Sequence, residues 1–65
     1  MPTFGEAIVL ARRKLHRTLR ETAKAVEVSA SLLSLIERNL HLPPRNVIVK
    51  LADYLGEDAD QWCGL

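Results

Sequence analysis

Cysteine is almost missing from this chain: Cys63 stands alone, so no internal disulfide can staple the fold. His16 and His41 are the only histidines beside it, which leaves no spaced Cys/His set for zinc. No cofactor or metal is expected. Long hydrophobic runs are lacking too. The longest unbroken apolar stretch, Ala7 to Ala11, falls far short of a membrane span, and Met1-Pro2-Thr3 begins no basic region followed by a secretory core. The expected location is the cytoplasm. Length is also in short supply. With 65 residues the chain is read as one domain over 1–65, either complete or the N-terminal part of a longer chain. A globule of this size buries only about 60% of its unfolded surface, which leaves little room for a deep pocket beside a core. No small-molecule site is evident. No His or carboxylate lies at a spacing that would activate Cys63 as a nucleophile, so no catalytic residue is assigned and an enzyme is not expected.

Hydrophobic residues at 48% and charged residues at 26% describe a chain that folds, by packing alone. Net charge is only +1, but it is unevenly spread. Residues 1–31 carry a balance of +3, from Arg12, Arg13, Lys14, Arg17, Arg20 and Lys24 against Glu6, Glu21 and Glu27. Residues 32–65 carry −2, rich in Asp53, Glu57, Asp58 and Asp60. Such polarity suits an anionic partner at one face, or an ordinary solvated helix surface.

Helix start signals recur along the chain. Thr3 with Glu6 forms a capping-box pair, and behind it Phe4, Ile8, Ala11 and Leu15 make one apolar stripe, predicting a first helix from about Phe4 to Leu15. Thr18 with Glu21 repeats the box ahead of Leu19, Ala23 and Val26, a short second helix. Ser29 caps a third, with Leu33 and Ile36 inward and Asn39 as a left-handed terminator. Pro43-Pro44 enforces a loop, with Pro44 at the start of a fourth helix. That helix carries Val47, Ile48, Leu51 and Leu55, and Gly56 closes it. Asp58 with Gln61 opens a last short helix bearing Trp62. Five helices and no strand result, an all-α fold.

Only Glu27-Val28 and a cap residue separate the second and third stripes. That is the connection length of a helix-turn-helix, and an antiparallel hairpin uses similar lengths. Ala23 is small where two helices would cross, Val26 and Val28 sit around the turn, and Leu33 and Ile36 anchor the third helix. The chain resembles the Xre/Cro-type, or phage-repressor-like, helix-turn-helix family. The resemblance spans nearly the whole chain: Phe4-Gly5-Glu6, Ala23 to Ser29, Ile36-Glu37-Arg38-Asn39, Pro43, and Leu51-Ala52-Asp53-Tyr54-Leu55-Gly56. It implies a compact five-helix domain and a sequence-dependent transcriptional regulator, a repressor, on double-stranded DNA; because one such helix buries little surface, a homodimer or a paired array is expected. The third helix would enter the major groove and offer Ser29, Ala30, Ser31, Ser34, Leu35 and Arg38 to bases. Arg17, Leu19, Arg20, Lys24, Arg45 and Asn46 would meet phosphates, and Arg12 with Glu37 would form a structural ion pair.

Three residues depart from that family's pattern. Glu27 stands where Gly is usual, at a cost of roughly 1 kcal/mol if its backbone is left-handed. Thr22 stands where Leu is usual, thinning the core. Positions 29 to 35 hold no Arg, Lys, Asn or Gln, the side chains that discriminate bases most strongly. Hydroxyls remain, with Ala30, Leu32 and Leu35 able to touch thymine methyls. The same Ala30, Leu32 and Leu35 surface supports a second expectation, a module that keeps the fold but binds another protein through the third helix. Val9, Leu10, Leu32 and Leu35, all off the inward stripes, are the expected hydrophobic patch, while Tyr54 and Trp62 close the core or lie near a dimer contact.

Overall fold

Thr18 shows how local chemistry sets the helix boundaries. Its hydroxyl accepts the Glu21 amide at 3.1 Å while the Glu21 carboxylate takes the Thr18 amide at 3.4 Å, a complete capping box. A computed structural model describes residues 3–63 and contains α1 (Phe4–Lys14), α2 (Leu19–Ala25), α3 (Ala30–Glu37), α4 (Arg45–Leu55) and α5 (Ala59–Cys63), with no strand among the described residues. Thr3 and Ser29 cap α1 and α3 through their hydroxyls. The Thr3 box closes differently from that of Thr18, because the Glu6 carboxylate takes the Thr3 hydroxyl at 3.1 Å. Pro44 is the N-cap of α4, one position before its first turn. Asp58 accepts the Asp60 amide at 2.9 Å, in place of the expected pairing with Gln61, and no hydrogen bond joins Asp58 to Gln61 among the described residues.

The first four helices end by one device. Residues His16, Glu27, Asn39 and Gly56 are all left-handed, with φ of 56°, 61°, 60° and 71°. At each, the following amide reaches back five residues: Arg17 to Arg12, Val28 to Ala23, Leu40 to Leu35 and Glu57 to Ala52, at 2.8 to 3.0 Å. These are Schellman closures, for which glycine is the usual occupant and asparagine the next. His16 and Glu27 hold the conformation against a steric cost of about 1–2 kcal/mol each.

Helix α3 packs on α2 and α1, while α4 touches α1 and α2 and carries α5. Ile8, Thr22, Val26, Leu33, Ile36 and Leu51 are fully buried where these helices meet. Each large aliphatic side chain there contributes about 1.5–3 kcal/mol of burial. Thr22 fits where a larger residue is usual because its hydroxyl donates to the Thr18 carbonyl at 2.9 Å, which leaves its methyl for the core. Phe4 and Trp62 meet edge to face, centroids 5.6 Å apart, so the last helix is closed onto the first. Leu15 does not extend the α1 stripe as expected. The helix stops at Lys14, and the left-handed turn at His16 leaves Leu15 41% exposed.

Candidate nucleic-acid interface

Ala23 and Val26 are buried beneath the α2–α3 junction, and the Val28 amide bonds back to the Ala23 carbonyl. Residues this small allow α2 and α3 to approach, and Glu27 makes the turn between them. Lys50, on α4, reaches the Glu27 carboxylate at 3.4 Å. The placement of α3 is fixed from its other end as well. Asn39 accepts the Gly5 amide at 3.0 Å and donates to the Thr3 hydroxyl at 2.8 Å, while a Cβ on Gly5 would collide with the Glu37 carbonyl oxygen. Asn39 is thus at once the terminator of α3 and a cap of α1, a second role that its own sequence neighbourhood does not reveal.

Arg12 adds a third restraint. Its Nε and one terminal nitrogen donate to the two Glu37 oxygens at 2.9 and 3.2 Å, and its other terminal nitrogen donates to the Arg17 carbonyl at 3.1 Å. The side chains are only 15% and 8% exposed, so this is a bidentate, nearly buried bridge from α1 to the end of α3.

On the outer face of α3, Ala30, Ser31, Ser34, Leu35 and Arg38 line one shallow open depression of about 430 Å³. Ser29 lies outside it, with its hydroxyl oxygen occupied by the Leu32 amide at 3.0 Å. Leu32 departs from expectation. Like Ala30 it is half-buried against the core, but unlike Ala30 and Leu35 it does not line the depression, so the three do not form one apolar surface there. The short α3 is wedged between α1 and α2, and its inward face is therefore wider than the Leu33-Ile36 stripe. The expected patch is likewise dispersed: Val9 and Leu35 are half-buried, and the exposed large apolar residues among those described are Leu10, Leu15, Leu40 and Leu42.

Arg20 and Lys24 are exposed on α2, four residues apart. Arg45 and Asn46 are exposed at the start of α4, with Arg45 only loosely paired to Asp60 at 3.5 Å. Leu19 is partly buried against the core, and its amide, at the first position of α2, has no acceptor among the described residues. Arg17 is not a free cation, since its guanidinium lies 4.1 Å from the centre of the Tyr54 ring. Half-buried Tyr54 packs against the core as expected and also serves as the platform for Arg17, a role no local sequence signal announces.

The charges of the helix-turn-helix segment are sorted. All three acids between Leu19 and Arg38 are engaged: Glu21 with the Thr18 amide, Glu27 with Lys50 and Glu37 with Arg12. All three bases, Arg20, Lys24 and Arg38, are exposed and have no acidic partner among the described residues. Arg38 makes only a 3.4 Å bond from Nε to the Ser34 carbonyl.

Cys63, His16 and His41 are exposed, and no group of three or more His, Cys, Asp or Glu residues is placed to hold a metal among the described residues. No described helix is long and apolar enough to cross a membrane.

A family model described as a helix-turn-helix domain matches residues 3–62. Among solved structures, a chain of a SinR protein/SinI protein complex superposes with a TM-score of 0.84 at 30% sequence identity, over 92% of this chain and 59% of that one. No curated protein gives a significant match.

Proposed function

Since the chain belongs to the helix-turn-helix domain family, we propose that it is a DNA-binding transcriptional regulator that represses by occupying its site. In this reading α3 lies in the major groove, with Ala30, Ser31, Ser34, Leu35 and Arg38 toward the bases and Ser29 at the entering end. Arg20 and Lys24 from α2, the Leu19 amide, and Arg45 and Asn46 from α4 grip phosphates, with Arg17 beside them on its Tyr54 platform. The protein works without catalysis, on double-stranded DNA of the nucleoid in the cytoplasm.

The observation that carries the reading is the sorting of charge: two of the three acids of the helix-turn-helix segment, Glu27 and Glu37, are paired with cations from α4 and α1, while Arg20, Lys24 and Arg38 are exposed and have no acidic partner among the described residues. A chain of nearly zero net charge thereby offers a locally basic surface to a polyanion. The eight residues of α3 rise only about 12 Å, enough for a few base pairs. Two copies on half-sites about 34 Å apart would supply the remaining affinity, so a homodimer is the working assembly. Titration of duplex affinity against salt tests this. A log-log plot falling steeply is expected, whereas no binding at low salt, or a flat plot, refutes the reading.

One observation favours a protein partner in addition. Leu42 is 79% exposed at the rim of a groove of about 310 Å³ that also involves Phe4, Pro43, Arg45, Ile48 and Trp62 and shares no residue with the α3 depression. The structural relative was itself solved as a complex of two proteins. A Leu42→Ser substitution, which adds no charge beside Arg45, that leaves DNA affinity intact while abolishing capture of a partner would separate the two surfaces.

A further inference from the structure

The geometry points to thymine C5-methyl groups as the base feature that the α3 depression reads, an inference that rests on the DNA-binding reading above. Residues 28–36 carry no charged or carboxamide side chain, so none of them can form the bidentate hydrogen-bond pairs by which guanine or adenine is usually told apart. The five lining residues recur at four-residue intervals, 30, 34, 38 and 31, 35, and so share one face. Leu32 does not line the depression, so the apolar side chains on that face are those of half-buried Ala30 and Leu35. Ser31 and Ser34 flank them with hydroxyls, which donate or accept equally and discriminate little. In the major groove, the one apolar feature that ordinary base pairs display is the thymine methyl.

The rim of the depression matches the same ligand. Arg38 closes its C-terminal end, and its terminal nitrogens meet no acceptor among the described residues. Arg20 and Lys24 stand exposed and unpaired on the helix packed against α3. An apolar floor beside unpaired bases complements methyl groups recessed between two phosphate backbones. A bound site is therefore thymine-rich opposite Ala30 and Leu35.

The test first selects bound duplexes from a random pool, then replaces each thymine singly by deoxyuridine, which removes the methyl and keeps every hydrogen bond. Affinity is followed by fluorescence anisotropy with the unaltered protein, so folding is not at issue. A loss of about fourfold per buried methyl is expected at one or two positions in each half-site. In Leu35→Ala, checked for folding by thermal melting, deoxyuridine at the thymine facing residue 35 should cost nothing further. Salt-dependent binding that no deoxyuridine weakens by more than about 1.5-fold, against the fourfold expected for a buried methyl, overturns the inference and leaves the DNA-binding reading standing. Failure to bind any duplex at low salt overturns both.

Discussion

Asn39 accepts the backbone amide of Gly5 at 3.0 Å across 34 positions of sequence, joining the end of α3 to the first turn of α1. One residue thus satisfies an otherwise orphaned helix amide and adopts the left-handed backbone that ends α3. Asn39→Ala loses both contributions and should cost about 2 kcal/mol, combining a lost cap with a strained backbone. Asn39→Gly keeps the backbone freedom and should cost about half as much. Urea unfolding of the two variants separates the effects, and equal midpoints would show that the Gly5 bond alone matters.

Glu27 is left-handed without being glycine, and its bond to Lys50 is a 3.4 Å contact on the surface. Relief of backbone strain should outweigh a surface pair contributing about 0–1 kcal/mol. Glu27→Gly is expected to stabilise the domain by about 0.5–1 kcal/mol, a rise of several degrees in melting temperature. A melting temperature at or below the starting value would show that the pair outweighs the strain.

Arg12 and Glu37 are bidentate and nearly buried, so removing one partner strands the other. Arg12→Met or Glu37→Leu alone should destabilise by about 3 kcal/mol, with part of that loss recovered in the double variant. A double-mutant cycle by denaturant unfolding measures the coupling. Strict additivity would reduce the bridge to a packing contact.

Arg20 and Lys24 are exposed and unpaired, and in the proposed complex each neutralises a phosphate. Arg20→Ala and Lys24→Ala should each flatten the salt dependence of log K by about 1 while leaving the preferred sequence unchanged. Arg38→Ala is expected to relax base preference at one position instead. Selection from random duplexes with each variant distinguishes the two behaviours.

Much of the fold was legible because its boundaries are written in local chemistry. Thr3, Thr18 and Ser29 act on amides within three residues, and Gly56 needs only its own freedom to end α4. The misjudged residues depend on distant neighbours. Periodicity set Leu15 on the inward stripe of α1, but the turn at His16, a residue with no strong terminator signature, carried it to the surface. Spacing alone puts Leu32 outward, off the Leu33-Ile36 stripe, and the wider inward face of α3 becomes visible only when α1 and α2 are in place. Within the candidate site, the exposure of Arg20 and Lys24 follows from α2 itself. The stacking of Arg17 on Tyr54 and the seating of Glu27 against Lys50 join residues that no spacing rule connects.

The uniform helix closures carry a kinetic consequence. Three of the four connections, residues 15–18, 26–29 and 56–58, are only three or four residues long, so these helix pairs form without a costly loop closure. Folding is then expected within microseconds to milliseconds, as for other helical bundles. Asn39 to Gly5 and Arg12 to Glu37 span 34 and 25 positions and would latch only after the helices have assembled. Their loss would quicken escape from the native state while scarcely slowing its formation. The same latches that hold α3 in register would thus govern how long each folded copy lasts.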